Sequence, residues 1–385
     1  MIVGVEAHLD PYFSWLPPSR ASARRADFFR VFEEAVDYAL GEGAHLFLLP
    51  GDVFDRVNPR NAALARFASD LARLREGGLR VFAVPGHHDR PKYARDPSPL
   101  RIFHEAGLLK LFDRLDRIEG DYVEAGGLRV WVGGLGYNPY LDPGQDPLAE
   151  AAAPERRPDA DLTILMTHNT IRGFPAYSPG DPVVDPASIP RWVDLVVAGH
   201  LHQHLVRRVG GITVCYVGTA ERLSFAEEDQ DKGFTVIEAD RDEVRVEQVR
   251  TSARPMKTLR VPVPEEGDLT ELILGELERA AQAVPRDALV RLKLEGAMTL
   301  EVHSTYRRSE IVRAGNRIFF GVNLDDGDVE YVGSFDAPHV ELETPLKELE
   351  RVYRGRLSSA EGEEREILEE AYRRAREALE EAGGW

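Results

Sequence analysis

At 385 residues, with 43% hydrophobic and 30% charged side chains, the chain has room for two or three domains and a sizeable core. No apolar run approaches the roughly 18 residues of a membrane span, and the first residues, MIVGVEAHLD, lack the basic lead and apolar segment of a signal peptide. A net charge of −18 argues against nonspecific polyanion binding by the whole surface, but leaves room for a nucleic-acid substrate at a site whose own metals supply positive charge.

The first two hundred residues alternate strand-like and helix-like patterns. Residues 2–5 form a short apolar strand. A helix is predicted from Ala21 to Leu40, with Phe28, Val31, Phe32, Ala35, Val36 and Ala39 on one stripe at helical spacing. Strand 46–49, helix 61–75, strand 79–84, a helical stretch near 99–111 and strand 128–132 follow, then strands 162–166 and 193–198. Fully apolar strands alternating with helices indicate an α/β layer architecture. The segments 139–158 and 173–190, rich in Pro, Asp and Gly, read as long surface loops that contact substrate. Beyond residue 205 the pattern turns to strands at 205–209, 212–217, 233–238 and 243–250, with a Gly-Gly turn at 210–211. The single cysteine, Cys215, rules out an internal disulfide and fits a reducing cytoplasm; within ITVCYVG it reads as a small buried hydrophobe.

RPMK at 254–257 marks a boundary. A helix at 268–283, flanked by strands near 258–262, 288–294 and 318–322, predicts a small α+β domain. Thr344 and Pro345 make a helix start, with Leu346, Leu349, Val352 and Tyr353 on one face. A second helix over 360–382 places Leu368, Tyr372, Ala375 and Leu379 on a stripe. The domains so divided are 1–254, 255–340 and 341–385.

Two stretches, LLPGDVFD (48–55) and AVPGHHDRP (83–91), repeat one local design: an apolar run, Pro-Gly, then residues able to hold a metal. Six of the eleven histidines fall in short motifs of this kind: His8 in EAHLD, His87 and His88 in PGHHD, His168 in MTHNT, His200 and His202 in AGHLH. In α/β sheets ligands collect at the carboxyl ends of strands, so these motifs and Asp52 should converge in one crevice. A lone strand-end histidine is more often structural, but several in equivalent positions point to a metal, since buried imidazoles and carboxylates are costly unless paired or metal-bound. Mixed oxygen and nitrogen donors without thiolates suit Mn, Fe or Zn and argue against a structural zinc cage. With one carboxylate available to bridge, a two-metal hydrolytic site follows.

Glu6-Ala7-His8, Gly51-Asp52, Gly86-His87-His88-Asp89, His168 and Gly199-His200-Leu201-His202 resemble the motif set of the calcineurin-like metallophosphoesterases. GDVFDRVNP and YVGTAERLSFAEEDQDKGF (216–234) narrow the resemblance to the SbcD-type (Mre-type) nucleases of DNA double-strand-break repair, over about residues 1–250. The resemblance implies a two-layered β-sheet core flanked by helices, a small α+β domain that caps the active site and guides DNA, and homodimerisation through the catalytic domain, with helix 61–75 as a contact. It implies C-terminal helices that dock on an SbcC-type SMC-class ATPase; their apolar stripes could equally pack back on their own domain. One metal would be held by Glu6, His8, Asp52 and His202, and a second by Asp52, His87, His168 and His200. His88 would contact the scissile phosphate and stabilise charge or protonate the leaving oxygen.

Two positions depart from the family pattern: Glu6 stands where the family has Asp, and His87 where it has Asn. Both can still ligate a transition metal, which favours a working site with altered metal preference over a dead one. Asp10 is a lesser substitute for the missing Asp. Asp55 and Asp89 are expected to fix turns and orient ligands, and His204 to be a surface residue on the next strand. Arg20, Arg24, Arg25, Arg56, Arg60, Arg90 and Lys92 flank the motifs and could touch phosphates, though each alone reads as a solvated charge. The implied activity is phosphodiester hydrolysis at DNA ends by in-line attack of water on phosphorus. The alternatives are a general phosphoesterase acting on small phosphoesters, or a DNA-end-binding scaffold without turnover.

Overall fold

The computed structural model describes residues 1–91, 96–175, 181–240, 243–332, 345–357 and 362–381. The chain opens with β1 (Ile2–Gly4), α1 (Pro18–Gly41), β2 (Leu46–Pro50), α2 (Asn61–Glu76) and β3 (Arg80–Val84). There follow α3 (Leu100–Glu105), β4 (Lys110–Leu111), β5 (Glu119–Ala125), β6 (Leu128–Leu135), α4 (Pro147–Glu150), β7 (Leu162–Thr167), and the short pair β8 (Thr170–Ile171) and β9 (Val183–Val184). Then come β10 (Leu195–Ala198), β11 (Leu205–Val209), β12 (Ile212–Tyr216), β13 (Gly233–Ala239) and β14 (Val244–Arg250).

These strands make two six-stranded sheets. One has the order β14-β13-β1-β2-β3-β4, with β1 to β4 parallel and β13 antiparallel to β1. The other has the order β11-β12-β10-β7-β6-β5, parallel from β12 to β6 and antiparallel at both edges. Alternation along each strand builds the layers. In β2, Leu46 and Leu48 face the second sheet, meeting Ile164, Met166, Leu195 and Val197. Phe47 and Leu49 face the other way, onto Phe28, Phe32, Phe67 and Leu71 of α1 and α2. The second sheet's outer face is covered differently. Trp131, Leu165, Val196 and Tyr216 pack under Leu148, Phe174, Ile189 and Val193, from the proline-rich segments in which no helical periodicity was legible.

The C-terminal elements are β15 (Met256–Pro262), α5 (Leu269–Ala280), β16 (Leu289–Thr299), α6 (Leu300–Ser304), α7 (Arg308–Ile318), β17 (Gly321–Asp325), β18 (Val329–Val332), α8 (Pro345–Leu357) and α9 (Glu363–Glu381). β15, β16 and β17 form a parallel sheet, with β18 paired to the far end of β16. That sheet has its own core of Val261, Ile273, Leu277, Leu292, Ile311 and Leu324. Arg20 ties α1 to it, donating to the carbonyls of Asn316, Phe319 and Phe320. Arg254 bridges the same junction, paired to Asp27 at 2.6 Å with its guanidinium 3.6 Å from the Phe320 ring centroid. α8 and α9 pack together, with Tyr353 and Tyr372 stacked at 4.2 Å. Leu346 and Leu379 lie outside the described side chains.

Several details differ from the sequence reading. The stretch 99–111 splits into α3 and β4, because Gly107 turns the chain at φ +67°. β5 escaped notice since EGDYVEA has one buried apolar residue, Val123. Residues 318–322 are a helix end and a strand start rather than one strand. α7 was hidden because only Ile311 and Gly315 face inward on an otherwise charged segment.

Candidate metal centre

The site lies where five parallel strands end. Glu6 and His8 follow β1, Asp52 follows β2, His87 and His88 follow β3, His168 follows β7, and His200 and His202 follow β10. The first three strands belong to one sheet and the last two to the other, so the crevice spans both layers. Among the described residues the non-glycine positions with positive φ are His8 (46°), Asp10 (65°), Asp52 (48°) and His200 (89°), all here. Left-handed backbone costs roughly 1–3 kcal/mol per residue and persists only where surrounding structure enforces it. Glycine is required beside them. A Cβ on Gly86 would lie 2.1 Å from Asp52 Oδ1, and Gly51 adopts φ +100° against the His168 ring.

The donors fall into two sets that meet at Asp52. His87, His168 and His200 offer ligand atoms within 4.8 Å of one another, and so do Glu6, His8 and His202. Asp52 groups in the same way with Glu6 and His168, one from each set. The bonds around these side chains decide which nitrogen each presents. His168 Nδ1 donates to the Pro50 carbonyl at 2.8 Å, which leaves Nε2 toward the site. His8 Nδ1 meets Asp55 Oδ1 at 3.2 Å, and its Nε2 lies 3.2 Å from Glu6 Oε1. His202 Nδ1 meets Glu227 Oε1 at 2.8 Å, and its Nε2 lies 3.9 Å from Glu6 Oε1. His200 Nε2 meets Asp181 Oδ2 at 3.1 Å, so the tautomer that donates there presents Nδ1.

Asp52 Oδ2 is the test of whether a cation belongs here. It is buried, lies 2.9 Å from His87 Nδ1 and 3.1 Å from His168 Nε2, and forms a well-directed hydrogen bond with neither. His87 Nδ1 and His168 Nε2 are themselves 3.3 Å apart. With the His168 proton committed to Pro50, its Nε2 lone pair and the buried Asp52 Oδ2 face each other, an arrangement that calls for positive charge between them. Protonation of His168 would supply that charge: burial opposes it, but the Asp52 carboxylate raises the group to about 9. A divalent cation answers the same demand with oxygen and nitrogen donors suited to it, so the residues fit a metal.

The profile of the calcineurin-like phosphoesterases matches residues 11–204. The chain belongs to the calcineurin-like phosphoesterase family. The chain is similar to the DNA double-strand break repair protein Mre11 of Sulfolobus acidocaldarius, 24% identical over 72% of this chain and 71% of that protein. It is likewise similar to the Mre11 of Thermoplasma acidophilum, 25% identical over 72% of this chain and 73% of that protein. Among solved structures, a dimetal phosphatase from Danio rerio overlaps 65% of this chain and 95% of its own, with 12% identity and a TM-score of 0.41.

Within this candidate site the two departures noted in the sequence take definite places. Glu6 is fully buried and reaches the cluster beside His8, while Oε2 accepts from the His200 amide at 3.0 Å. Burial pushes its carboxyl up, but the His8 bond and the nearby imidazoles bring it down to about 2. His87 sits over Asp52, in ring contact with His168 and His200. Asp10 does not substitute for either. Its carboxylate is held by the Arg60 amide at 3.0 Å and Arg60 Nε at 2.9 Å, and it joins no group of potential ligands among the described residues. His88 is half-buried, its Nδ1 3.1 Å from the Asp55 carbonyl, which leaves Nε2 as the nitrogen for other contacts; it also groups with Asp52 and His87 and with His8 and Asp55, and burial lowers its basicity. Asp89, fully buried, accepts from the amides of Val53, Phe54 and Gly86 and so clamps the two Pro-Gly loops together. Burial and the Asp52 charge push it up to about 6.

Other sequence candidates resolve as structure. Arg20 and Arg24 are not free for phosphates: Arg20 holds the carbonyls around Phe319, and Arg24 is fully buried against Asp27 and Glu221. Arg90 donates to the carbonyls of Tyr137 and Asp113, with burial lowering it to about 10. Lys92 lies outside the described residues. His204 bonds Thr235 Oγ1 at 3.0 Å, and Cys215 is buried, its thiol pushed up to about 12. Sequence reasoning missed Asp181, Glu227 and Lys232. Glu227 lies in the acidic segment already quoted, which gave no means of choosing one carboxylate from its neighbours. No helix among the described residues is long and apolar enough to cross a membrane.

Proposed function

We propose that this protein is a metal-dependent DNA nuclease that hydrolyses phosphodiester bonds at DNA ends during double-strand-break repair, using two divalent transition-metal ions. Glu6, His8, Asp52 and His202 would hold one ion; Asp52, His87, His168 and His200 would hold the other. The observation that carries this reading is Asp52, a buried carboxylate whose Oδ2 lies against imidazoles without a well-directed hydrogen bond and which groups with donors from both sets. We take manganese as the first choice, with iron or zinc also compatible with mixed oxygen and imidazole donors. Bound ions of this kind neutralise phosphate charge and acidify water.

The chain's own contribution is orientation. Asp55 and Glu227 fix which nitrogens His8 and His202 present. The Asp55 carbonyl turns His88 so that Nε2 meets the scissile phosphate, where it stabilises charge or delivers a proton to the departing oxygen. The catalytic unit would comprise residues 1–254, with 255–340 as a capping domain that guides DNA. Residues 341–385 would dock on an SbcC-type ATPase, and the protein would work as a homodimer; the separate core of the sheet β15–β18 supports this division. The similarity to two Mre11 repair proteins over most of the chain supports the choice of DNA.

Metal analysis of purified protein beside a cleavage assay in manganese tests the reading. Two ions per chain and cleavage of DNA ends are expected, and His88→Ala should abolish turnover while metal content stays. Absence of both metal and cleavage would leave a binding scaffold, and cleavage of small phosphoesters alone a general phosphoesterase.

A further inference from the structure

The loops that leave β1 and β2 run side by side, with the Leu9 amide on the Val53 carbonyl at 2.8 Å and the Asp55 amide on the Leu9 carbonyl at 2.9 Å. At their outer end Tyr12 is 71% exposed, whereas its neighbour Phe13 is 8% exposed within the core. Packing therefore accounts for the second ring and not the first. The Arg56 guanidinium lies 5.8 Å from the Tyr12 ring centroid. Arg60 anchors here through Asp10, and Arg25 stands close enough that, beyond its burial, the charges of Arg60 and Arg56 lower its pKa. Among the described residues Asp10 is the carboxylate bonded within this group, to Arg60, because the side chain of Asp55 is directed at His8. This is a cationic patch on a chain of net charge −18. It adjoins the candidate metal centre: Arg56 is next in sequence to Asp55, whose carbonyl holds His88.

We propose that Tyr12, with Arg25, Arg56 and Arg60, is a stacking platform for an unpaired DNA strand that enters the metal centre. The proposal rests on the nuclease reading above and adds a preference for single-stranded ends. An exposed phenol ring offers a face to a nucleobase of any identity, and adjacent guanidiniums meet the backbone phosphates; together these are the elements of sequence-tolerant single-strand binding. Duplex bases are stacked on one another and cannot use the ring, so duplex DNA would gain only the phosphate contacts.

The test is binding of the full chain to a fluorescein-labelled oligothymidylate and to a blunt duplex, by fluorescence polarisation in EDTA so that nothing is cleaved. The parent should prefer the oligothymidylate. Tyr12→Ala should lose about tenfold for it, within the roughly 5- to 150-fold that stacking of one base supplies, and change little for the duplex. Tyr12→Phe should restore binding. Arg56→Gln should weaken both and reduce the salt slope by about one. Unchanged oligothymidylate binding by Tyr12→Ala, or an equal loss for both DNAs, would overturn the platform. Cleavage of a labelled DNA end by the parent in manganese is the separate check. Its failure sinks the nuclease reading and the platform with it, whereas hydrolysis together with unaltered Tyr12→Ala binding sinks the platform alone.

Discussion

Replacing Glu227 with Gln removes one oxygen's charge from a buried relay and leaves the side chain's shape almost intact. Glu227 Oε1 accepts from His202 Nδ1 at 2.8 Å, while Oε2 meets Lys232 Nζ at 2.7 Å and the Leu223 amide at 3.1 Å. Every partner is a donor, so both oxygens must accept. Burial opposes the charged form, yet His202 and Lys232 bring Glu227 down to about 2. A glutamine cannot satisfy this arrangement. If its carbonyl faces His202, its NH2 is set against the Lys232 ammonium and the Leu223 amide. If it is turned round, the NH2 faces His202 and forces the other tautomer, so that a proton on Nε2 points where a ligand nitrogen is needed. Loss of such an orienting carboxylate typically lowers metal affinity 10- to 100-fold, about 1.4–2.7 kcal/mol. Competition titration with a fluorescent chelator would measure this on the purified protein, with circular dichroism to verify folding. Manganese affinity within twofold of the parent in a folded Glu227→Gln protein would refute the claim that the His202 tautomer is set from outside the cluster.

Asp70, buried on α2 with Arg73 at 3.4 Å, is pushed up to about 6 by burial and by the Glu33 charge. A raised carboxyl binds its proton more tightly in the folded state, so its contribution is full below pH 4 and is lost as pH rises to 6 and beyond. Asp70→Asn should therefore stabilise the protein by about 1–3 kcal/mol at pH 7.5, with the gain smaller at pH 5; urea melts that stay parallel across that range would contradict this. Gly86→Ala should displace Asp52, because the added carbon would lie 2.1 Å from Oδ1; metal content measured on the folded variant should drop to background. Arg24→Met takes the buried guanidinium away from Glu221 while Asp27 keeps Arg254, and about 1–3 kcal/mol of stability should be lost in denaturant titration.

The motif residues were legible because their chemistry is written in residue type. Imidazoles and carboxylates directly after apolar strands have few inexpensive fates other than mutual pairing or a metal. The sheets were legible for a related reason, since short apolar runs such as β2 and β7, set between helices or loops, announce strands buried on both faces. What escaped depended on who approaches whom in three dimensions. Glu227, Lys232 and Asp181 look like any surface charge until the chain folds them beneath His202 and against His200. Arg24 reads as a solvated cation, and only the arrival of Glu221, 197 residues later, makes it a core residue. The covering of the second sheet was obscure because irregular, proline-rich backbone has no period to detect.

β1 lies between β2 and β13, and its partner Ile237 is separated from Ile2 by most of the catalytic half of the chain. Strand pairing between such distant segments is slow and comes late, since the intervening loop must close first. On the ribosome, β1, which leads to Glu6 and His8, is made first but gains its second neighbour late. Until residues beyond 237 emerge it has a neighbour on one side only, and the Glu227–Lys232 brace under His202 does not exist. The nascent polypeptide thus cannot complete this cluster and its brace until the segment through β14 has emerged. Strand order alone makes closure of the first sheet the condition for a complete set of donors.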